Sequence, residues 1–209
     1  MRTEGLELVD LADWKRTVSE LYAAVRAEAD PAAAWRFWRA ARDRLFGGHP
    51  QSPLTPDART SFDGLPYFDY DPGMRVFASV EPASPERLEI ATSTGGSHAF
   101  TRFAIARFEV GGDPASLEVL WLEGYGGGIF VSFRDATSGR ESYGACRYLL
   151  DTVKGADLGM AEDRLVLDLN FAYNPSCAYD PRWTCPLATP ANRLEFAVRA
   201  GERAPVRHA

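Results

Sequence analysis

The chain contains no apolar run approaching the ~18 residues that a membrane-spanning helix requires. Its opening segment, MRTEGLELVDLADW, carries acidic residues from Glu4 onward and lacks a continuous apolar stretch, so it does not read as a secretory signal peptide. Cysteine is scarce. Three residues, an odd number, do not make a secreted disulfide framework and place the protein by default in a reducing cytoplasm. Histidine is as rare, at His49, His98 and His208, and neither CxxC nor HExxH occurs, so no metal is expected. The nucleophile elbow GxSxG and the phosphate loop GxxxxGK[ST] are also missing. The glycine run Gly124–Gly128 leads into Ile129-Phe130-Val131, a strand, and without a following helix it reads as a hairpin turn. No cofactor is expected. Basic runs are absent too: 23 Lys and Arg face 29 Asp and Glu, a net charge of −6. That balance argues against nucleic acid or an anionic membrane surface as a partner.

What remains is a chain of 209 residues, 45% apolar and 25% charged, suited to one substantial core. A single domain over 1–209 is expected, with a helical arm over 1–47 and a β-rich body over 62–202. In the arm, Leu11, Trp14, Val18, Leu21 and Val25 recur at spacings of three and four and form one stripe. Asp10 is a candidate N-cap for that helix. Asp30-Pro31 ends it and starts a second, which carries Trp35, Trp38 and Leu45 and stops at Gly47-Gly48. Arg36, Arg39, Arg42 and Arg44 on this second helix read as a solvated face with local ion pairs. A Pro-rich loop follows.

Period-two alternation then predicts strands over 75–81, 87–92, 98–110, 117–123, 129–134, 141–150, 164–171 and 193–199, separated by Gly- and Asp-rich turns. Short connections favour antiparallel pairing. The fold class is therefore mainly β: an antiparallel barrel or curved sandwich with two N-terminal helices packed outside.

Candidate site residues concentrate between Phe133 and Asn192. Alternation over 141–150 puts Tyr143 and Arg147 on one strand face. In the strand from Arg164, Leu165, Leu167, Leu169 and Phe171 form an apolar face, with Asp168 and Asn170 opposite. Tyr173, Asn174, Cys177 and Tyr179 follow in a segment that reads either as a structural plug or as a pocket wall. Arg147 and Asp168 are expected to pair across the interior, with Asn170, Tyr173 and Asn174 completing a polar lining. Cys177 and Cys185 admit three readings: buried structural thiols, a disulfide, or a nucleophile with its resolving partner. The sequence supplies no neighbouring histidine to activate either thiol.

These residues also carry a resemblance. Gly64-Leu65-Pro66-Tyr67-Phe68, Phe133 to Gly139, Glu141 to Leu149, Asp168 to Tyr179, Thr184-Cys185-Pro186-Leu187, Asn192-Arg193-Leu194 and Ala200-Gly201-Glu202 are similar to a prokaryotic family known as domain of unknown function 1684. The chain departs from the family's pattern at Ala145-Cys146, Ser176 and Ala188-Thr189. The resemblance implies a fold and a site location, and it brings no activity, cofactor or catalytic residue.

Three functions follow for such a chain. The first is binding of a small apolar or aromatic molecule in the cavity of a β-barrel. The alternative is an enzyme using the same pocket for acid–base or cyclisation chemistry without metal or nucleotide. The third is a partner-binding protein docking through its helices. An apolar cavity above about 300 Å³ would favour the first two.

Overall fold

A computed structural model describes residues 4–205; His208 lies outside them. Helix α1 spans Glu4–Ala27 and α2 spans Pro31–Gly48. The second boundary follows the sequence: the Asp30 side chain accepts from the Ala32 N–H, and Pro31 occupies the first turn. The first does not. Asp10 lies inside α1, which begins at least a turn earlier than its acidic residue suggested. Leu21, Tyr22 and Val25 of α1 and Trp35 and Trp38 of α2 meet Val166 and Phe171 in one buried cluster. Trp14 is half-buried, edge-on to the His49 ring. A short helix, α3 (Pro56–Thr60), interrupts the loop that follows.

Seven strands form a single sheet: β1 (Arg75–Ala91), β2 (Ser97–Val110), β3 (Asp113–Leu122), β4 (Ile129–Phe133), β5 (Arg147–Asp151), β6 (Met160–Ala161) and β7 (Arg164–Asp168). Their order is β5-β4-β3-β2-β1-β7-β6, and every pairing is antiparallel. The two runs expected at 75–81 and 87–92 are one long strand whose register with β2 shifts between Pro82 and Glu86. Val76 and Ala78 of β1, Ala104 and Ala106 of β2, Leu117 and Val119 of β3, and Leu165 and Leu167 of β7 point to one core. Phe77 and Val166, of opposite parity, turn to the helices.

The barrel expected from the strand count does not close. Among the described residues, one bridge joins β5 to the chain beyond β7: Tyr148 N–H to the Tyr173 carbonyl (2.8 Å) and the reverse bond (3.0 Å). The reason lies at residues 192–202. Leu194, Val198 and Ala200 from this segment fill the concave face, so the interior is packed with the chain's own side chains. The strand expected at 193–199 is reduced to one parallel bridge between Arg193 and Arg134, with Leu194 N–H donating to the Arg134 carbonyl (2.8 Å), and past it side chains take the backbone bonds. Val198 N–H donates to Asp135 Oδ2 (2.8 Å), and the Val198 carbonyl accepts from Arg147 (2.9 Å). Two further boundaries move. Residues 141–146 form turns, so Tyr143 shares no strand face with Arg147. The expected strand through Phe171 stops at Asp168, whose side chain accepts from Asn170 N–H and starts a 3-10 turn over Leu169–Phe171.

Trp38 is fully buried against Phe171 at a 5.1 Å centroid separation. Trp38→Ala should therefore cost about 3–5 kcal/mol in urea melts. Deleting residues 1–46 should give insoluble protein, because Phe171 and Val166 would face water; a soluble, cooperatively melting truncation would show that the arm is an accessory.

Candidate functional site

The sequence-predicted residues fall into three separate clusters. In the first, Asn174 and Tyr179 converge on Glu202, which is completely buried. Asn174 N–H and the Tyr179 hydroxyl donate to Glu202 Oε2 at 2.7 and 2.8 Å. Arg42 Nε (3.0 Å) and the Tyr67 hydroxyl (3.4 Å) donate to Oε1, where the Arg42 Nη2 also binds. Arg42 belongs to no solvated face: it turns inward over the Trp38 and Tyr173 rings. Its neighbour Arg39 lies over Trp35 and Tyr67, and Asp43 accepts from Leu65 N–H. Glu202 escaped sequence reasoning, and the Ala200-Gly201-Glu202 motif was its one trace. Gly201 adopts φ +75°, and a Cβ there would strike the Ala172 backbone.

The second cluster is Arg147. Its partner is Asp135 at 3.2 Å, not Asp168. The guanidinium also donates to the carbonyls of Val198, Ala200 and Glu202 and lies over the Phe133 ring. Strands β5 and β7 stand at opposite sides of the sheet order, which is why the expected pair does not form. Asp168 instead accepts from Asn170 N–H (3.0 Å) and Nδ2 (2.8 Å) through Oδ1. Asn170 bonds onward to the Asp71 backbone on both its oxygen and its nitrogen. These contacts satisfy loop backbone, and no polar cavity lining arises from Arg147, Asn170, Tyr173 and Asn174 together. Asp168 Oδ2 is buried without a hydrogen-bond partner. Burial pushes its carboxyl up to about 6, against the opposing bonds from Asn170 and the charge of Arg75.

The third cluster is the one with chemical potential. Beyond the register shifts of β1–β2 and β2–β3, a smaller core of Ile90, Phe100, Leu120, Phe130, Cys146 and Tyr148 forms. The segment Trp183–Leu187 is hydrogen-bonded to the β1–β2 hairpin and covers this core: Ser93 N–H to the Cys185 carbonyl (3.0 Å), Cys185 N–H to Ser93 Oγ (3.1 Å), and Leu187 N–H to the Ala91 carbonyl (3.0 Å). On one side of the segment lies a pocket of about 200 Å³ walled by Phe100, Leu122, Ile129, Phe130, Val153 and Pro186. Its polar groups are Asp151, Lys154, His98 and Thr184, with Lys154 Nζ 3.3 Å from Asp151 Oδ2. On the other side Tyr143 and Cys177 meet, hydroxyl to sulfur at 3.8 Å.

A larger open groove of about 780 Å³ crosses the outer face of β1, β2 and β3. Arg75 and Arg164 each place a guanidinium 5.2 Å from the Phe77 ring along this groove. Among the described residues, no group of three His, Cys, Asp or Glu side chains is arranged to hold a metal ion. No described helix is long and apolar enough to cross a membrane.

The model of a family described as a protein of unknown function, DUF1684, matches residues 60–203. The solution NMR structure of an uncharacterised protein from Haloarcula marismortui is similar at 38% identity and a TM-score of 0.58, covering 81% of this chain and 92% of that one. No curated protein matches the chain.

Two predictions separate the polar clusters. Arg147→Ala should lose about 3–5 kcal/mol in denaturant melts, because it leaves the buried Asp135 carboxylate uncompensated. Asp168→Asn should behave oppositely. It keeps Oδ1 for Asn170 and puts an amide where Oδ2 has no partner. The folded value of about 6 lies above the unfolded ~3.9. Wild-type Asp168 therefore favours folding below pH 4 and loses that contribution as the pH rises through 6. Asp168→Asn should be more stable than wild type by up to about 3 kcal/mol at pH 8, and the two should converge near pH 4. Melts at both pH values check this, and a variant less stable at pH 8 would show a charged Asp168 held by a partner.

Proposed function

The chain belongs to the DUF1684 family of proteins of unknown function, and we propose that it binds a small, single-ring aromatic or apolar molecule in the pocket beneath the Trp183–Leu187 segment. One observation carries this reading: an apolar concavity built from two phenylalanines and three aliphatic side chains, with a Lys154–Asp151 pair at its edge. Apolar walls with a few convergent polar groups are the usual composition of a ligand site. The volume, below the ~300 Å³ at which drug-sized sites begin, limits the occupant to about one ring. Lys154 keeps two of its three donors for an acceptor group on that ring. Binding ranks above catalysis because the acid and base at the pocket's edge, Asp151 and Lys154, pair with each other at 3.3 Å.

A second reading rests on the outer groove. Arg75 and Arg164 have no ion pair among the described residues, an arrangement suited to a small anion.

One titration distinguishes the two. With 15N-labelled protein, benzoate should shift the amides of Gly128, Ile129, Val153, Lys154 and Thr184. Lys154→Ala should weaken that binding about tenfold through loss of a charge-assisted bond. Inorganic phosphate should leave these amides unmoved. Shifts confined to Arg75, Phe77 and Arg164 would transfer the site to the groove, and no shift with millimolar benzoate would overturn the pocket reading.

A further inference from the structure

Cys177 and Cys185 are separated by a loop of irregular backbone, yet their side chains meet. The 3-10 turn Ser176–Ala178 points the Cys177 N–H at Cys185 Sγ, 3.4 Å away. The Tyr143 hydroxyl lies 3.8 Å from the Cys177 sulfur, while the Ser93 hydroxyl accepts from Cys185 N–H (3.1 Å) and donates to the Trp183 carbonyl (3.1 Å), which pins Cys185 in place behind Cys177. Cys177 is half-buried, whereas Cys185 is 2% exposed. Cys146, the third cysteine, is fully buried and spends its proton on the Pro186 carbonyl at 3.8 Å. A half-buried thiol facing a phenol hydroxyl, with a second, buried thiol directly behind it, is the arrangement of an attacking thiolate and its resolving partner.

We propose that Cys177 and Cys185 form a reversible dithiol–disulfide couple that reduces hydroperoxides, with Cys177 as the attacking thiolate and Cys185 as the resolving thiol. In the first step the Cys177 thiolate attacks the distal peroxide oxygen. An S–O bond forms, the O–O bond breaks, and the departing alkoxide takes a proton from solvent to leave as an alcohol. Cys177 is oxidised by two electrons to a sulfenic acid. In the second step Cys185 attacks that sulfur. An S–S bond forms, the S–O bond breaks, and the hydroxide leaves with the Cys185 proton as water. An external small dithiol, oxidised in turn to its own disulfide, restores both thiols by exchange.

The groups facing the pair favour this order. The neighbouring Cys185 thiol, and after it the Tyr143 hydroxyl, brings the Cys177 thiol down to about 6 despite burial. The neighbouring Cys177 sulfur and burial hold the Cys185 proton in place against the bond from the Cys177 backbone N–H and the weaker pull of Lys154, so the resolving thiol stays protonated until it is needed. Burial pushes Cys146 up to about 12, which keeps it out of the reaction. None of this depends on a ligand in the neighbouring pocket.

The full chain, reduced and then treated with hydrogen peroxide, tests the proposal without any variant. Its three free thiols should fall to one, the mass should drop by two hydrogens, and a disulfide should join the two tryptic peptides on either side of Arg182. Dithiothreitol should reverse all three changes. In Cys185→Ser, dimedone should trap a sulfenic acid at Cys177. Iodoacetamide should alkylate Cys177 about tenfold faster at pH 6 in the folded protein than in urea, since the larger thiolate fraction outweighs its lower intrinsic nucleophilicity. Three thiols surviving peroxide, a disulfide through Cys146, or equal alkylation rates in the folded and unfolded chain would each overturn the proposal.

Discussion

The Glu202 carboxylate is fully buried, and donors from four separate parts of the chain meet on it: Arg42 from α2, Tyr67 from the loop before β1, Asn174 from the chain after β7, and Tyr179 beyond it. A buried charge of this kind is costly unless every lone pair is engaged. Here both oxygens are, and the fixed positive partner lies in the same dry space. Burial works against the charge on Arg42, but Glu202, with the Tyr67 and Tyr179 hydroxyls, holds that charge well in place. The consequence is geometric. Each donor must stand where its hydrogen bond reaches one carboxylate, so the helical arm, the loop and the C-terminal segment take their positions from a common point.

The same segment explains why the sheet stays open. Arg147 and Asp135 together accept or donate the backbone bonds of residues 198–202 that a neighbouring strand would have used. Side chains thus replace a ladder, and Leu194, Val198 and Ala200 are lowered into the concave face. A filled interior has no room for a ligand. The concavities of the protein are accordingly displaced to its outer face and to the end of the sheet where register shifts break the main core into a second, smaller one.

Local chemistry was legible in the sequence, and chemistry set by distant partners was not. The Asp30-Pro31 start of α2, the strands β2 and β4, and the buried stripe through Leu21 and Val25 all follow from spacing within a few residues. Period-two alternation misled where a side chain captured the backbone. Asp168 turns the chain into a 3-10 helix, and Thr137, itself held by Asp135, takes the Glu141 and Ser142 N–H groups on its carbonyl where a strand was expected. Arg42 read as surface because its carboxylate lies 160 positions away. The candidate residues between Tyr143 and Tyr179 are divided by their partners: Asn174 and Tyr179 serve Glu202, Arg147 serves the C-terminal segment, and Tyr143 joins Cys177.

That division separates groups that hold the fold from groups with capacity left over. A carboxylate with both oxygens occupied, or an arginine whose two terminal nitrogens are taken by carbonyls and a carboxylate in a buried site, is committed to the fold. The sulfur of Cys177 is different. It belongs to a half-buried residue, it faces the Tyr143 hydroxyl and a second thiol, and no ion pair consumes it. Lys154, too, has one carboxylate partner and a largely free ammonium. Both lie beside the one segment, Trp183–Leu187, that covers the smaller core through hydrogen bonds to a hairpin end rather than through a sheet ladder. Such a cover holds its side chains in place while leaving their polar atoms uncommitted, and this is the condition under which a side chain remains available for chemistry.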